Sequence, residues 1–345
     1  MSEQTPSRLR VARPSHLGAM RSWRLSAPAA FLALATLLGG LAQPAHAQAI
    51  YPTRQVRVIV AFAPGGIADV IARVIGQKLS AKLGQTFVIE NRSGAGGELG
   101  AKVVAGAPSD GYTLLATTSA VAINALAMKN AIDPRTQLTP VAVVAVAPMI
   151  FVAKKDVTAP DLMTYVRDVK KGRFTYSSAG VGTAEHLTSE YIYRKTPGLE
   201  ATHVPYAGGV EAVNAVISNT VDLATATIPS ALSLMKSGDL HLLAIASHER
   251  LTSLPNVPTL KEAGFGDIAA ASWIAIFGPP GLPAPVADKL NAEINAALRE
   301  PDVSKKLGGL GFVAQPQSQQ AFKASLDAEV AKWGEITKTV GFSPN

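Results

Sequence analysis

Several residue classes are scarce in this 345-residue chain. Cysteine is absent, which excludes a disulfide framework and a thiolate metal site. Aromatic residues make up 6% of the chain and charged residues 17%. In an average soluble protein about a quarter of all residues are charged. Because 48% of the residues are hydrophobic, the chain still has enough apolar material for sizeable cores, and these cores are predicted to be aliphatic.

The motifs of several common catalytic sites are also missing. The sequence contains no G-x-x-x-x-G-K-[ST] phosphate loop, no H-E-x-x-H zinc motif and no G-x-S-x-G nucleophile turn. Gly94, Gly96 and Gly100 have the spacing G-x-G-x-x-x-G, which is one residue too long for a dinucleotide fingerprint. We therefore predict no cofactor and no metal site.

The formal net charge of +7 suggests an acidic partner such as nucleic acid, but the distribution of the charge argues against one. Five arginines precede an apolar run over residues 29–42, and the small residues Ala45 and Ala47 follow that run. This pattern predicts a secretory signal peptide over residues 1–47, removed after about Ala47, and a periplasmic mature protein. The remaining chain has 27 basic and 24 acidic residues, a net charge of +3, so no nucleic-acid partner is predicted.

A membrane anchor is the alternative interpretation of the N-terminal segment. Its apolar run is short for a span of ~20 residues, and no other long apolar segment follows. The arginines include no adjacent pair, which favours general secretion over twin-arginine export. The absence of cysteine at the cleavage site excludes lipid anchoring there, and translation from Met20 would give a signal peptide of more ordinary length.

Short β-rich runs alternate with helical patterns along most of the remaining chain. After the strand-like "QVRVIVAF" and a Pro-Gly-Gly turn, apolar residues recur at helical spacing, namely Val70, Ile71, Val74, Ile75 and Leu79. Such alternation predicts an α/β fold with mainly parallel sheets flanked by helices. No flexible linker separates two halves, so "PVAVVAVAPMIFVA", interrupted by Pro148, is either a strand pair or one strand that crosses between domains.

Five predicted strands end in small or polar residues just before a helix: "APGGIAD", "TTSAVAI", "SSAGVGTAEH", "YAGGVEA" and "TATIPSA". In open α/β sheets, ligands bind outside the carboxyl ends of the strands, where the free N–H groups of the following helices point. Hydroxyl groups in these turns add further donors, namely Thr118, Ser119, Ser178, Thr183, Thr227 and Ser230. One such turn is explained better by chain reversal alone than by a ligand site, but five in series predict a cleft that holds a carboxylate without arginine.

Some side chains near these turns have two interpretations. His186 either pairs with Ser178 across a loop, which would suit an exported α/β hydrolase, or caps and lines that loop. Asp69 lies in a first helical turn, where a carboxylate suits the helix dipole, so a structural role is favoured over acid–base chemistry. Phe62 and Trp273 are either core residues or the apolar wall of a ligand site.

Seven segments, taken in their order along the chain, resemble the Bug family. They are "YPTRQVRVIVAFAPGGIADVIAR", "VIENRSGAGGELGA", "DGYTLLATTS", "YSSAGVGTAEHL", "HVPYAGG", "IPSAL" and "LPNVPTLKEAG". Members of this family are periplasmic solute-binding receptors of tripartite tricarboxylate transporters. The resemblance covers residues 50–342. It implies a two-lobed Venus-flytrap fold of the type II periplasmic binding class, with a carboxylate held between the lobes by backbone amides, small hydroxyls and bridging waters. We predict that residues 48–149 and 271–345 form lobe 1 and that residues 150–270 form lobe 2.

The resemblance also implies the ligand contacts. In lobe 1 they fall on Phe62, Gly65, Gly66, Ala68, Asp69, Thr117, Thr118 and Ser119. In lobe 2 they fall on Ser178, Gly182, Thr183, Tyr206 and Gly208, to which the turn analysis adds His186 and Thr227.

Two positions depart from the family pattern. Many relatives have Asp-Asn where this chain has Ala226-Thr227, and relatives often have Thr or Ser at the position of Ala68. Both changes predict a less polar pocket and a ligand without an amino group, such as a dicarboxylate or an aromatic carboxylate. The predicted function is a monomeric, non-enzymatic receptor that delivers its ligand to membrane transporter subunits, and the alternatives are an exported hydrolase and the ligand-binding component of a sensing system.

Overall fold

The computed structural model describes residues 51–342, so the predicted signal peptide lies outside the described residues. Local sequence signals explain where the elements begin and end. The first helix starts directly after the Pro-Gly-Gly turn and ends at Gly84, whose φ of 68° is the left-handed conformation favoured by glycine. The Gly84 N–H donates to the Ser80 carbonyl and so closes the last turn of that helix.

The described residues contain ten strands. They are β1 (Val56–Val60), β2 (Phe87–Asn91), β3 (Thr113–Thr118), β4 (Thr139–Lys154), β5 (Arg173–Ser178), β6 (Glu200–Pro205), β7 (Leu223–Thr227), β8 (Leu240–Ile245), β9 (Ala271–Gly278) and β10 (Val313–Ala314).

The helices alternate with these strands. They are α1 (Ile67–Leu83), α2 (Glu98–Ala105), α3 (Ala120–Ala127), α4 (Leu162–Thr164, continued by a π-helical turn over Tyr165–Val169), α5 (Ala184–Lys195), α6 (Gly209–Ile217), α7 (Ile228–Lys236), α8 (Ala284–Leu298), α9 (Pro301–Gly309) and α10 (Gln319–Thr339). A 3₁₀ turn over Ala95–Gly97 precedes α2. Within residues 51–342, no helix combines the length and the apolar character needed to cross a membrane.

The strands are connected in the order β2-β1-β3-β9-β4-β7-β5-β6, and both β8 and β10 pair with β4. Strand β1 is parallel to β2 and β3, and β5 is parallel to β6 and β7. The pairs formed by β4 are antiparallel, as is the pair of β3 with β9. The result is a mixed α/β architecture, in which β-α-β units supply the parallel pairs.

The strands form two sheets: the first contains β1, β2, β3, β9 and β10, and the second contains β5, β6, β7 and β8. Strand β4 is a single 16-residue strand that belongs to both sheets. Up to Pro148 it pairs with β9, and from Met149 onward it pairs with β7 and β8. The proline lies where the partners change, and a residue without an N–H is tolerated there. Two other segments of the chain lie beside β4 where its partners change. The Met149 N–H donates to the Ala270 carbonyl at 3.2 Å, and the Ala246 N–H donates to the Met149 carbonyl at 2.9 Å. Of the two interpretations of this segment, the crossing strand is confirmed.

Three groups of buried apolar residues flank the sheets, and most of their members are aliphatic, as the composition predicted. The largest group contains most of the aromatic members, among them the fully buried Phe277, Phe322 and Trp333, the last two on α10. Helix α10 therefore holds the C-terminal part of the chain against the sheets. The lobe boundaries given above stay a prediction.

Candidate functional site

The register of the strands brings the ends of β3 and β7 to neighbouring positions on β4. The Ser119 N–H, just after β3, donates to the Trp273 carbonyl at 3.1 Å, and Trp273 lies opposite Val146. Thr227, the last residue of β7, lies opposite Met149. We call residues 61–69 and 117–120 the first-sheet turns, and residues 178–186, 206–210 and 227–230 the second-sheet turns. The two sets flank the crossing strand.

Asp69 fixes the geometry of the first turn. Its buried carboxylate accepts hydrogen bonds from the Gly65 N–H, Arg73 Nε and Asn91 Nδ2, each at 3.0 Å, and forms an ion pair with Arg73. Although burial acts to raise the pKa of Asp69, the hydrogen bonds from Arg73, Gly65 and Asn91 hold it below its usual value. Both carboxylate oxygens are thereby occupied, so the structural role favoured for Asp69 agrees with its contacts. Asn91, which sequence reasoning missed, also donates to the Phe62 carbonyl at 3.0 Å.

The two glycines of this turn have different roles. Gly65 has a φ of 77°, a conformation that L-residues rarely adopt. Gly66 has a φ of −68°, which any L-residue can adopt, so this turn does not need glycine at position 66 for its φ. The Gly66 N–H donates to the Ala63 carbonyl at 3.2 Å, and a Cβ at Gly66 would lie 3.1 Å from that oxygen. Ala68 is buried against the core, so its small side chain packs rather than faces solvent.

The hydroxyl groups after β3 differ in their hydrogen bonding. Thr117 is fully buried, and its Oγ1 has no hydrogen-bond partner among the described residues. The Thr118 hydroxyl accepts from the Ala120 N–H at 3.3 Å, and Ser119 Oγ lies 3.5 Å from Ser272 Oγ.

Of the five helices that begin at these turns, three have no side-chain acceptor at their start, whereas Thr118 accepts at α3 and Thr183 accepts at α5. The N-cap residues of α1, α6 and α7 are Gly66, Gly208 and Thr227, and none of their side chains accepts a hydrogen bond from the helix. The Thr227 hydroxyl instead shares a hydrogen bond of 3.1 Å with Ser230. First-turn N–H groups of these helices are therefore available to an external acceptor, and the positive end of each helix dipole favours an anion.

The second-sheet turns touch one another. The Tyr206 N–H donates to the Ser178 carbonyl at 3.1 Å, and a Cβ on Gly180 would lie 3.3 Å from the Tyr206 carbonyl oxygen. A Cβ on Gly209 would lie 2.8 Å from the Ser230 Cβ, closer than two such carbons normally approach. The structure thus joins the three second-sheet turns into one surface.

The histidine that contacts Ser178 is His203. Ser178 Oγ and His203 Nε2 are 2.7 Å apart, whereas His186 Nδ1 accepts from the Gly182 N–H at 3.1 Å. Of the two interpretations of His186, the pairing with Ser178 is therefore wrong, and the ring lines its own loop because the start of helix α5 turns it back there. The two imidazoles stack with their centroids 4.0 Å apart. Burial lowers the pKa of His186, and burial followed by the repulsion from His186 lowers the pKa of His203 to about 4.

His203 was missed because it lies on a strand, two residues before its end, where only pairing with β5 brings it near Ser178. Thr183 caps α5 by accepting from the His186 N–H at 3.3 Å, and it donates to the Gly180 carbonyl at 2.8 Å. Glu185, also missed, is half-buried in the same helix turn, and burial raises the pKa of its carboxyl.

Two residues expected near the ligand have other surroundings. Ala226 is fully buried in the apolar group between β7 and helices α6 and α7, so its side chain is part of the core. Trp273 packs near Phe277 and Phe322, and its indole N–H donates to Glu329 of α10. At the predicted ligand site these contacts favour the core interpretation, although the Trp273 ring also lines the cavity described next.

A cavity of about 680 Å³ lies between α10, β4 and residues 246–271. None of the predicted ligand contacts lines it. The first-sheet and second-sheet turns and this cavity are therefore separate features.

The two mixed sheets joined by a crossing strand, with uncapped helix starts on both sides of it, define a two-lobed solute-binding protein of the periplasmic binding class. The family model described as "Tripartite tricarboxylate transporter family receptor" (TctC) matches residues 71–342, and the chain belongs to that family. The resemblance to Bug proteins is confirmed by Protein BugT of Bordetella pertussis, which is 32% identical over 310 residues, 88% of this chain and 94% of that protein.

Solved structures give the same result. The chain is similar to R. palustris Rpa4515 with adipate, at 32% identity and a TM-score of 0.73, over 86% of this chain and all of that one. It is also similar to MatC from Rhodopseudomonas palustris with bound malate, at 31% identity and a TM-score of 0.68, over 83% of this chain and 99% of that one. The periplasmic binding protein BugD is 30% identical with a TM-score of 0.69, over 86% of this chain and all of that one.

Proposed function

We propose that this protein is a periplasmic receptor that captures a small carboxylate between its two lobes and delivers it to the membrane subunits of a tripartite tricarboxylate-type transporter. One observation carries the proposal: three helices start uncapped beside the crossing strand, one on the first sheet and two on the second. Each offers N–H donors and a positive dipole end, which together favour an anionic oxygen. The first-sheet and second-sheet turns contain no lysine or arginine, so neutral donors hold the charge.

The ligand is proposed to have an apolar body. Three branched side chains next to the glycine turns are exposed, namely Ile67 at 42%, Val181 at 65% and Val210 at 54%. Such side chains gain free energy when a ligand covers them, at roughly 25 cal/mol per Å² of apolar area. Adipate and malate, bound by two similar proteins, are both dicarboxylates.

An amine-free ligand is proposed as well. The turns contribute two carboxylates, Asp69 and Glu185. Asp69 already accepts hydrogen bonds from Gly65, Arg73 and Asn91, so it is not available to an ammonium group, and an unpaired buried charge is costly. This argument rests on Asp69 alone, since Ala226 belongs to the core.

A ligand screen tests the proposal. Thermal shift and calorimetry are run with adipate, malate and benzoate, and with glutamate and aspartate beside their deaminated analogues. A ligand at ~100 times its dissociation constant adds about 2.7 kcal/mol to the free energy of unfolding. We expect an amine-free carboxylate to bind most tightly. Tighter binding of glutamate or aspartate than of every amine-free acid would refute the proposed ligand class, and no binding of any acid would refute the proposed function.

We propose no catalytic role for the contact between Ser178 and His203. Ser178 is fully buried, and among residues 51–342 no carboxylate hydrogen-bonds to the His203 ring to orient it as a base. We therefore expect no turnover of p-nitrophenyl acetate above that of the Ser178→Ala variant. A Ser178-dependent burst of p-nitrophenol would favour the hydrolase instead.

A further inference from the structure

The cavity of about 680 Å³ beside helix α10 has the size of a small-molecule site. Its apolar walls come from β4, β9 and α10, and include Val143, Val146, Trp273, Phe322 and Ile336. We call it the α10 cavity. Because apolar side chains line most of its walls, a ligand with an apolar body would be stabilised there.

Glu329 is the most buried acidic residue of the α10 cavity. Its two carboxylate oxygens accept from the indole N–H groups of Trp273 and Trp333. Burial raises the pKa of the Glu329 carboxyl, and the two indoles and Lys332 act in the opposite direction. Each oxygen of Glu329 therefore already has a donor within the protein.

The other acidic residues of the cavity are also paired. Asp267 forms an ion pair with Lys261 at 3.1 Å, and its carboxylate also lies 2.9 Å from His248 Nδ1, within hydrogen-bond distance. Glu335 forms an ion pair with Lys195 at 3.4 Å. Exposed pairs of this kind contribute little to stability, but they neutralise the carboxylates at the cavity mouth.

Lys332 differs from these groups. Its half-buried ammonium donates to the Ala269 carbonyl at 3.2 Å, and within residues 51–342 it forms no ion pair with a carboxylate. Burial lowers the pKa of Lys332, although the field of Glu329 acts to raise it. An ammonium group has three N–H donors, so two of them remain for an acceptor in the cavity.

We propose that the α10 cavity is a second ligand site, separate from the cleft, which takes an organic anion with an apolar body. The acidic group of the ligand meets the Lys332 ammonium, and its apolar body lies between Val143, Trp273 and Phe322. An anion gives Lys332 the charged partner that it lacks, in surroundings where water screens the pair poorly.

The test is calorimetric titration of the full mature chain with octanoate, and with 1-octanol as the neutral analogue. Replacing Lys332 with methionine removes the charge and keeps the length, so octanoate should bind at least about tenfold more weakly, as expected for a lost charged hydrogen bond. Lys332→Arg should retain most of the affinity, and 1-octanol should bind wild type and Lys332→Met equally. Lys289→Met, on exposed helix surface, is the charge control.

A second variant locates the site. Ala328 is exposed and lines the cavity, so Ala328→Phe should block it without disturbing the core, whereas Ala324→Phe on the same helix should not. We expect octanoate binding to disappear in Ala328→Phe alone, with unchanged circular dichroism. Absence of octanoate binding to the wild type, or binding that neither Lys332→Met nor Ala328→Phe weakens, would overturn the proposal.

Discussion

Replacing Asp69 with alanine should loosen the first turn of the cleft. The substitution removes the acceptor for the Gly65 N–H, for Arg73 and for Asn91 at once. Gly65 and the Arg73 head group are partly exposed, so water can replace part of what they lose. Asn91 is half-buried and is only partly compensated.

The size of the effect follows from these contacts. A hydrogen bond to a charged group contributes about 1.5–3 kcal/mol, and the three bonds are not additive because two donors are rehydrated. We therefore expect Asp69→Ala to lower the free energy of unfolding by about 3 kcal/mol. With an unfolding entropy near 2.1 cal/mol/K per residue, the mature chain of residues 48–345 should lose roughly 5 °C in Tm.

Differential scanning calorimetry at pH 7 measures this change, with the exposed Asp288→Ala as the matched control. The pH dependence gives a second readout. Because the folded pKa of Asp69 is lowered, its contribution is fully present above the unfolded pKa of about 4 and is lost as pH falls through the folded value. The Tm values of wild type and Asp69→Ala should therefore converge at acid pH. A Tm loss at pH 7 no larger than that of Asp288→Ala would refute the reasoning.

Three further predictions concern the second-sheet turns. Gly209→Val should abolish carboxylate binding in calorimetry, because its side chain meets Ser230 between two turns, while Gly308→Val in open space should leave binding unchanged. The folded pKa of His203 is about 4, so the contribution of this residue to stability is complete above about pH 6.5 and falls as the pH drops toward 4. His203→Gln should therefore flatten the dependence of Tm on pH in that range, and a slope equal to that of the wild type would contradict this. Thr183→Ala should lower the unfolding free energy in urea by about 1 kcal/mol through loss of the helix cap, and equal stability of the two proteins would argue against a capping role.

Much of the fold follows from local sequence patterns. Alternating strands and helices predicted the α/β class, and the pattern around Pro148 included the crossing strand among its two interpretations. Some short elements were missed, namely α9, β10 and the helical turns over residues 162–169, and the last two of these have few residues. Turn positions were predictable because glycine and hydroxyl residues mark a chain reversal within a few residues.

The sequence by itself determined which turns end the strands, which donors those turns offer and to which family the chain belongs. Only the tertiary structure decided which side chains meet. Ser178 contacts His203, 25 residues away, because β5 and β6 pair in parallel register. Ala226 faces the core because alternate residues of β7 point to opposite sides, and the sequence does not specify which side faces the cleft. Lys332 reaches the Ala269 carbonyl, 63 residues away, only after α10 packs beside the crossing strand. Such contacts depend on strand register and helix packing, which are set by the whole core and not by any one segment.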